Sequence, residues 1–200
     1  MAWEVFEGPN INLTEEGRKY LGGFIGSESG SGKYAEELVS SWCKQLEVLS
    51  KIAKTEPQAA FAAFVSEFKH KLTYYIRTLP NIKQHLVQLE ALVNQVFIPA
   101  ITDGHICSAD ERLLLSLPTK KGGLAIPIFP VTADSEFSRP RAATEQPIEH
   151  INNHDSTAQV DSELLKHSKQ DILKAREEHS EAILEQLRAK MSPKQLRPNA

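Results

Sequence analysis

The chain has 200 residues, 40% hydrophobic and 24% charged, with a formal net charge of −3. That length and balance fit one domain with a tail or two small ones, and they allow a sizeable core. The acidic total argues against strong stand-alone nucleic-acid binding, which draws most of its non-specific affinity from phosphate neutralisation. Residues 51–100 nevertheless hold six Lys or Arg against three Glu, so a local basic face remains open. The start, Met1-Ala2-Trp3-Glu4-Val5, lacks the charged and apolar regions of a leader, and no stretch approaches the roughly 18 uninterrupted apolar residues of a membrane span. We expect an intracellular protein, cytoplasmic or nuclear, with no membrane partner. Cys43 and Cys107 are too few for a disulfide framework and read as free thiols.

Residues 1–27 read as short strands and turns. Trp3 and Val5 alternate with polar neighbours, Gly8-Pro9-Asn10 is turn chemistry, Ile11 and Leu13 alternate again, and Glu16-Gly17 marks a second turn before Arg18-Lys19-Tyr20-Leu21. So few small strands do not stand alone, so they read as the end of a larger sheet. Gly26 to Lys33 invites a phosphate-loop reading, but Ser27 falls where the first glycine belongs and Tyr34 falls where Ser or Thr should hold magnesium. A flexible, solvated connector is the better reading.

Tyr34 to Ala53 carries a helical stripe of Ala35, Leu38, Val39, Trp42, Leu46, Leu49 and Ala53. The longest consistent period runs from Glu56 to Ile101. Phe61, Phe64, Val65, Phe68, Leu72, Tyr75, Ile76 and Leu79 form one stripe, and Ile82, Leu86, Leu89, Val93, Val96 and Phe97 form the next. Thr55 is placed to cap the first of these helices with Pro57 in its opening turn, and Leu79-Pro80-Asn81 forces a break. A connection that short makes the two helices antiparallel neighbours, and the helix before them completes a three-helix bundle. Ser108-Ala109-Asp110-Glu111 is a capping box for a short fourth helix ending near Leu117-Pro118. Beyond it, Leu124, Ile126 and Ile128 alternate around Pro127, which allows an edge strand at most. Thr132 to Gln159 has linker composition. Val160 to Met191 returns to helix, largely solvated in its middle, with Pro193 and Pro198 ending it.

No nucleophile, base and orienter grouping is visible, so no catalytic residue is assigned. His105 and Cys107 lie close together but lack two further ligands nearby, so no metal site is assigned either. The best chemical candidate is the polar face of the first long central helix, where Lys69, His70, Thr73, Tyr74 and Arg77 project away from the Phe stripe. Such a face suits a nucleic-acid backbone, with an aromatic ring against sugar or base. The plain alternative is a solvated helix face.

Gly17-Arg18-Lys19-Tyr20-Leu21-Gly22-Gly23-Phe24-Ile25-Gly26-Ser27 resembles the segment after the catalytic strands in reverse transcriptases of animal retroelements, closest to non-LTR-type retrotransposon polyproteins. Three further similarities follow in order: Ile52 to Ala59, Leu72 to Pro80, and Leu117 to Ile126, within which Ala125 stands where related sequences often have Gly. The resemblance covers roughly residues 1–130. It implies that Tyr20, Leu21, Gly22 and Gly23 form the primer-grip turn of an RNA-directed DNA polymerase and that the following helices form its thumb, with Lys69, His70, Thr73, Tyr74 and Arg77 facing an RNA/DNA template-primer duplex. The aromatic-x-Asp-Asp motif of the family occurs nowhere in the sequence, and two-metal phosphoryl transfer requires such paired carboxylates. No cofactor is therefore expected; magnesium would belong to the missing palm.

The expected architecture is mainly α. A small β-strand and turn segment at residues 1–30 forms a palm edge, and a three- to four-helix thumb-like bundle follows at 33–118. A connector and linker at 119–158 lead to a long C-terminal helix at 159–191. The expected role is a reverse transcriptase fragment, inactive alone, that holds a duplex weakly and meets the rest of its polyprotein or another helical protein. The alternative is a stand-alone helical protein-interaction module derived from such an element.

Overall fold

The computed structural model describes residues 14–153 and 162–190. The strands expected around Trp3, Val5, Ile11 and Leu13, and the terminal Pro193 and Pro198, lie outside them. A hairpin of β1 (Gly17–Tyr20) and β2 (Gly23–Gly26) leads into α1 (Glu28–Ala53). The antiparallel register pairs Gly17 with Gly26 and Tyr20 with Gly23. Leu21 and Gly22 both turn with positive φ, 46° and 80°, the two-residue geometry that matches the twist of paired strands.

The glycine-rich stretch is the first turns of α1 and not a connector. Ser27 caps this helix: its Oγ accepts the Gly30 N–H at 3.0 Å and donates to the Glu16 carbonyl at 3.1 Å. A Cβ on Gly30 would lie 2.4 Å from the Glu16 carbonyl oxygen, so glycine serves close packing here and does not loosen the chain. Lys33 pairs with Glu16 at 2.5 Å, which occupies the ammonium a phosphate loop would need.

The two periodic stripes fold as expected, as broken helical arms. The first is α2 (Pro57–Ala63), a wide π turn Phe64–Phe68 and α3 (Lys69–Thr78). The second is a 3₁₀ turn Ile82–Gln84, α4 (Leu86–Leu92), a π turn Val93–Phe97 and α5 (Ile98–Ile101). Pro99 has no N–H for the carbonyl four residues back, and the second wide turn sits immediately before it. The Phe64 and Phe97 rings stack across the arms with centroids 4.7 Å apart. Trp42, Leu46, Leu72, Ile76, Leu86 and Leu89 complete a fully buried centre. Thr55 does not cap α2; its hydroxyl donates to the Ile52 carbonyl, and Glu56 stands at the cap position with no side-chain bond.

The capping box forms at α6 (Ala109–Ser116): Ser108 Oγ accepts the Glu111 N–H and the Glu111 carboxylate accepts the Ser108 N–H. The alternating stretch after it is no strand. A 3₁₀ turn Thr119–Lys121 comes first. The N–H groups of Leu124 and Ile126 then donate to the Leu115 carbonyl, and Arg112 takes the carbonyls of Ile126 and Pro127. With those groups occupied, little remains for a ladder. Ala125 adopts a left-handed φ of 54°.

The expected linker is mostly α7 (Phe129–Asn152). Its composition misleads because distant partners stabilise it: Phe129 and Ala133 enter the core, and Asp134 pairs with Lys83 at 2.5 Å. The last helix, α8 (Ser162–Lys190), packs on α6 and α7. Its thin apolar stripe buries Leu187, while Glu177 holds Lys120 at 2.7 Å and Lys121 at 3.0 Å. None of the described helices is long and apolar enough to cross a membrane.

Replacing Leu89, which is fully buried, with Ala should lower unfolding stability by about 2–5 kcal/mol in denaturant titration; an unchanged midpoint would show that this face is not core. Ala125→Gly should raise stability by about 0.5–1 kcal/mol, since relief of the left-handed strain exceeds glycine's entropy cost.

Candidate nucleic-acid interface

The hairpin has two unlike faces because successive strand residues point oppositely. Its inner face stacks Phe24 on Tyr34 of α1 at 5.6 Å and sets the Lys19 ammonium 4.6 Å from the same ring. Its outer face carries Arg18, Tyr20 and Ile25, the last two 62% and 65% exposed. The turn between the strands rests on α3. The Tyr74 hydroxyl donates to the Leu21 carbonyl, and a Cβ on Gly22 would meet the Tyr74 ring at 2.6 Å. Only glycine lets the turn approach this closely at its φ of 80°. Tyr20, Leu21, Gly22, Gly23 and Tyr74 thus form one patch, joined across 53 residues of sequence.

The rest of the polar face of α3 divides. His70 is exposed, whereas Lys69 is half-buried, and removal from water pushes its ammonium pKa down. Thr73 spends its hydroxyl on the Lys69 carbonyl at 2.8 Å. Arg77 stays exposed but is paired. Its guanidinium donates to Glu136 of α7 through Nε at 2.9 Å and Nη2 at 2.7 Å. Arg176 from α8 and Arg139 converge on the other oxygen of Glu136, at 2.5 and 3.5 Å. Sequence spacing gave no hint of this, because the carboxylate belongs to a segment with linker composition. Burial alone would push the Glu136 carboxyl up, but the Arg77 hydrogen bond and the charges of Arg176 and Arg77 together outweigh it and hold it below the usual glutamate range.

A cavity of 720 Å³ opens beside this cluster, between α6, α7 and α8, with Leu117, Ile128, Val131 and Ile183 on its apolar wall. Its polar groups are those of the ion-pair cluster together with His179, Gln186 and the hydroxyls of Ser116, Thr132, Ser135 and Ser180, each of which donates to a backbone carbonyl. No family model matches the chain, and no curated protein or solved structure matches it.

The arginine cluster makes stability depend on pH in a defined direction. A carboxyl whose folded pKa is depressed contributes stability above its unfolded value, and that contribution is lost as pH falls through the folded one. Glu136→Gln should therefore cost about 1–3 kcal/mol at neutral pH, as for loss of hydrogen bonds to charged groups. The gap between variant and parent should close as the pH is taken below 4.5, the usual glutamate value. A gap independent of pH would show that Glu136 acts through packing alone.

Proposed function

We propose that this chain is the primer-grip and thumb portion of a retroelement reverse transcriptase, a module that holds a template-primer duplex and performs no phosphoryl transfer of its own. The observation that carries the reading is the docking of the Tyr20–Gly23 turn on Tyr74. Two stretches singled out by separate parts of the family resemblance meet in space, and they form the patch such a role requires. The left-handed Ala125, at a position where the related sequences often have Gly, adds support from a third stretch.

The geometry also redistributes the roles. Tyr74 positions the turn, so stacking on sugar or base falls to the exposed Tyr20. Arg77 already spends two hydrogen bonds on Glu136, so phosphate contact falls first to the exposed Arg18, with the ammonium of the half-buried Lys69 in α3, unpaired among the described residues, as the second cation. With two or three phosphates neutralised, binding should be weak, indifferent to sequence and salt-sensitive. The exposed Tyr20, Leu21 and Ile25 favour one other reading, a stand-alone module that binds another helical protein through the hairpin.

Fluorescence anisotropy on a labelled RNA/DNA hybrid distinguishes the two. The slope of log affinity against log salt should be about −2 to −3, and Arg18→Ala with Lys69→Ala should make it shallower by about two units. Tyr20→Ala should weaken binding by about 1–3 kcal/mol at every salt concentration without changing the slope, since stacking releases no counterions. Absence of binding at low salt would remove the duplex-holding role and leave the protein-interaction reading.

A further inference from the structure

We propose that His105, Cys107 and Glu111 form a binding site for a zinc-type transition-metal ion. The ligand atoms of these three side chains lie within 4.8 Å of one another. His105 and Cys107 alone do not make a site, and the spacing in sequence offered no third ligand. The fold supplies one by starting α6 immediately afterwards, which brings the third residue of that helix back over the loop.

The arrangement is built for a small ion in several respects. His105 Nε2 and Glu111 Oε1 are 3.2 Å apart, close to the roughly 3.4 Å that separates nitrogen and oxygen ligands around tetrahedral zinc. The other carboxylate oxygen of Glu111 accepts the Ser108 N–H at 2.8 Å. That bond fixes the carboxylate, the outer-shell support that metal sites use, while Oε1 faces His105 Nε2, a contact that an ion between them would replace. The loop is held from below as well. The Gly104 N–H donates to the Pro99 carbonyl at 2.8 Å, and the Thr102 hydroxyl donates to the Ile98 carbonyl at 2.8 Å. His105 and Cys107, two apart in a non-helical segment, turn their side chains to one side, while Ile106 between them is 77% exposed.

The chemistry of the donor set selects the ion. A neutral imidazole, a thiolate and a carboxylate carry two negative charges, which balance a divalent cation. Thiolate and imidazole together favour zinc, cobalt or copper over magnesium and calcium, whose ligands are oxygens. On binding, the Cys107 sulfur releases its proton to solvent and forms the metal–sulfur bond. Three protein ligands leave a fourth position for water. The site is independent of the nucleic-acid reading.

Cobalt(II) titration of the full chain under reducing conditions tests this directly. The expected result is one equivalent bound, with a sulfur-to-cobalt charge-transfer band in the near ultraviolet, the strong visible bands of four-coordinate cobalt, and stoichiometric displacement by zinc. Cys107→Ser, a near-isosteric change in a half-buried loop residue, should abolish the charge-transfer band and weaken zinc binding by at least about 100-fold. Glu111→Gln keeps an acceptor for the Ser108 N–H but loses the charge, and should weaken binding while leaving circular dichroism unchanged. Cys43→Ala, remote in sequence, should leave the spectrum intact. A full chain that shows no charge-transfer band with excess cobalt would overturn the proposal. So would a band that survives Cys107→Ser or disappears with Cys43→Ala.

Discussion

The guanidinium of Arg112, 5% exposed, is the junction on which the arrangement of this chain depends. It meets both oxygens of Glu90 in α4 at 2.8 and 3.1 Å and donates to the carbonyls of Ile126 and Pro127, each at 2.9 Å. Burial pushes the Glu90 carboxyl upward and Arg112 opposes it, so the pair stays together because each charge is the other's solvation. Removing one partner would strand a charge in the interior, at a cost of about 3–5 kcal/mol. Through this one side chain α6 is fixed against the bundle and the chain is aimed into α7. The backbone it holds leads directly into α7, which carries Phe129 into the core and Glu136 to Arg77.

What was legible in the sequence was whatever is encoded over one or two helical turns. The stripes from Ala35 to Phe97 face the core except at Val96, which the wide turn Val93–Phe97 leaves exposed; Pro80 breaks the helical arms where its ring and missing N–H require, and Ser108 and Glu111 cap α6 reciprocally. What was illegible depends on partners far along the chain. α7 contains proline and many small polar residues, yet it is helical because Lys83, Arg77 and Arg176 meet its carboxylates and the core accepts Phe129. Gly26 to Lys33 reads as a flexible run, but its central glycine is where the hairpin backbone touches α1. Local composition reports the cost of order and says nothing of distant compensation.

The same division explains the candidate surface. The residue types of α3 were readable, but the partners they meet within the fold were not. Arg77 and Tyr74 have the chemistry of ligand contacts and stay exposed, yet each also holds a partner within the fold, Glu136 for one and the Leu21 carbonyl for the other. Arg18 and Tyr20, which no helical period selects, share the outer face because strand alternation packs Phe24 on Tyr34 and sets the exposed Lys19 over the same ring.

The way α8 is attached has a consequence for cooperativity. Leu187 is its one fully buried hydrophobic residue among the described positions, Ile172, Ile183 and Leu184 are partly buried, and a row of ion pairs to Glu136, Lys120, Lys121 and Asp110 adds to the hold. Sodium chloride leaves apolar burial in the bundle nearly unchanged but screens the more exposed of these pairs, such as Lys120 with Glu177 and Lys190 with Asp110, within about 10 Å at 0.1 M. The chain therefore has two units of unequal stability, a bundle closed by its aromatic centre and a terminal helix whose hold weakens as ionic strength rises. Its amides in α8 exchange with solvent through that smaller opening, long before those of α1 or α4 do through global unfolding.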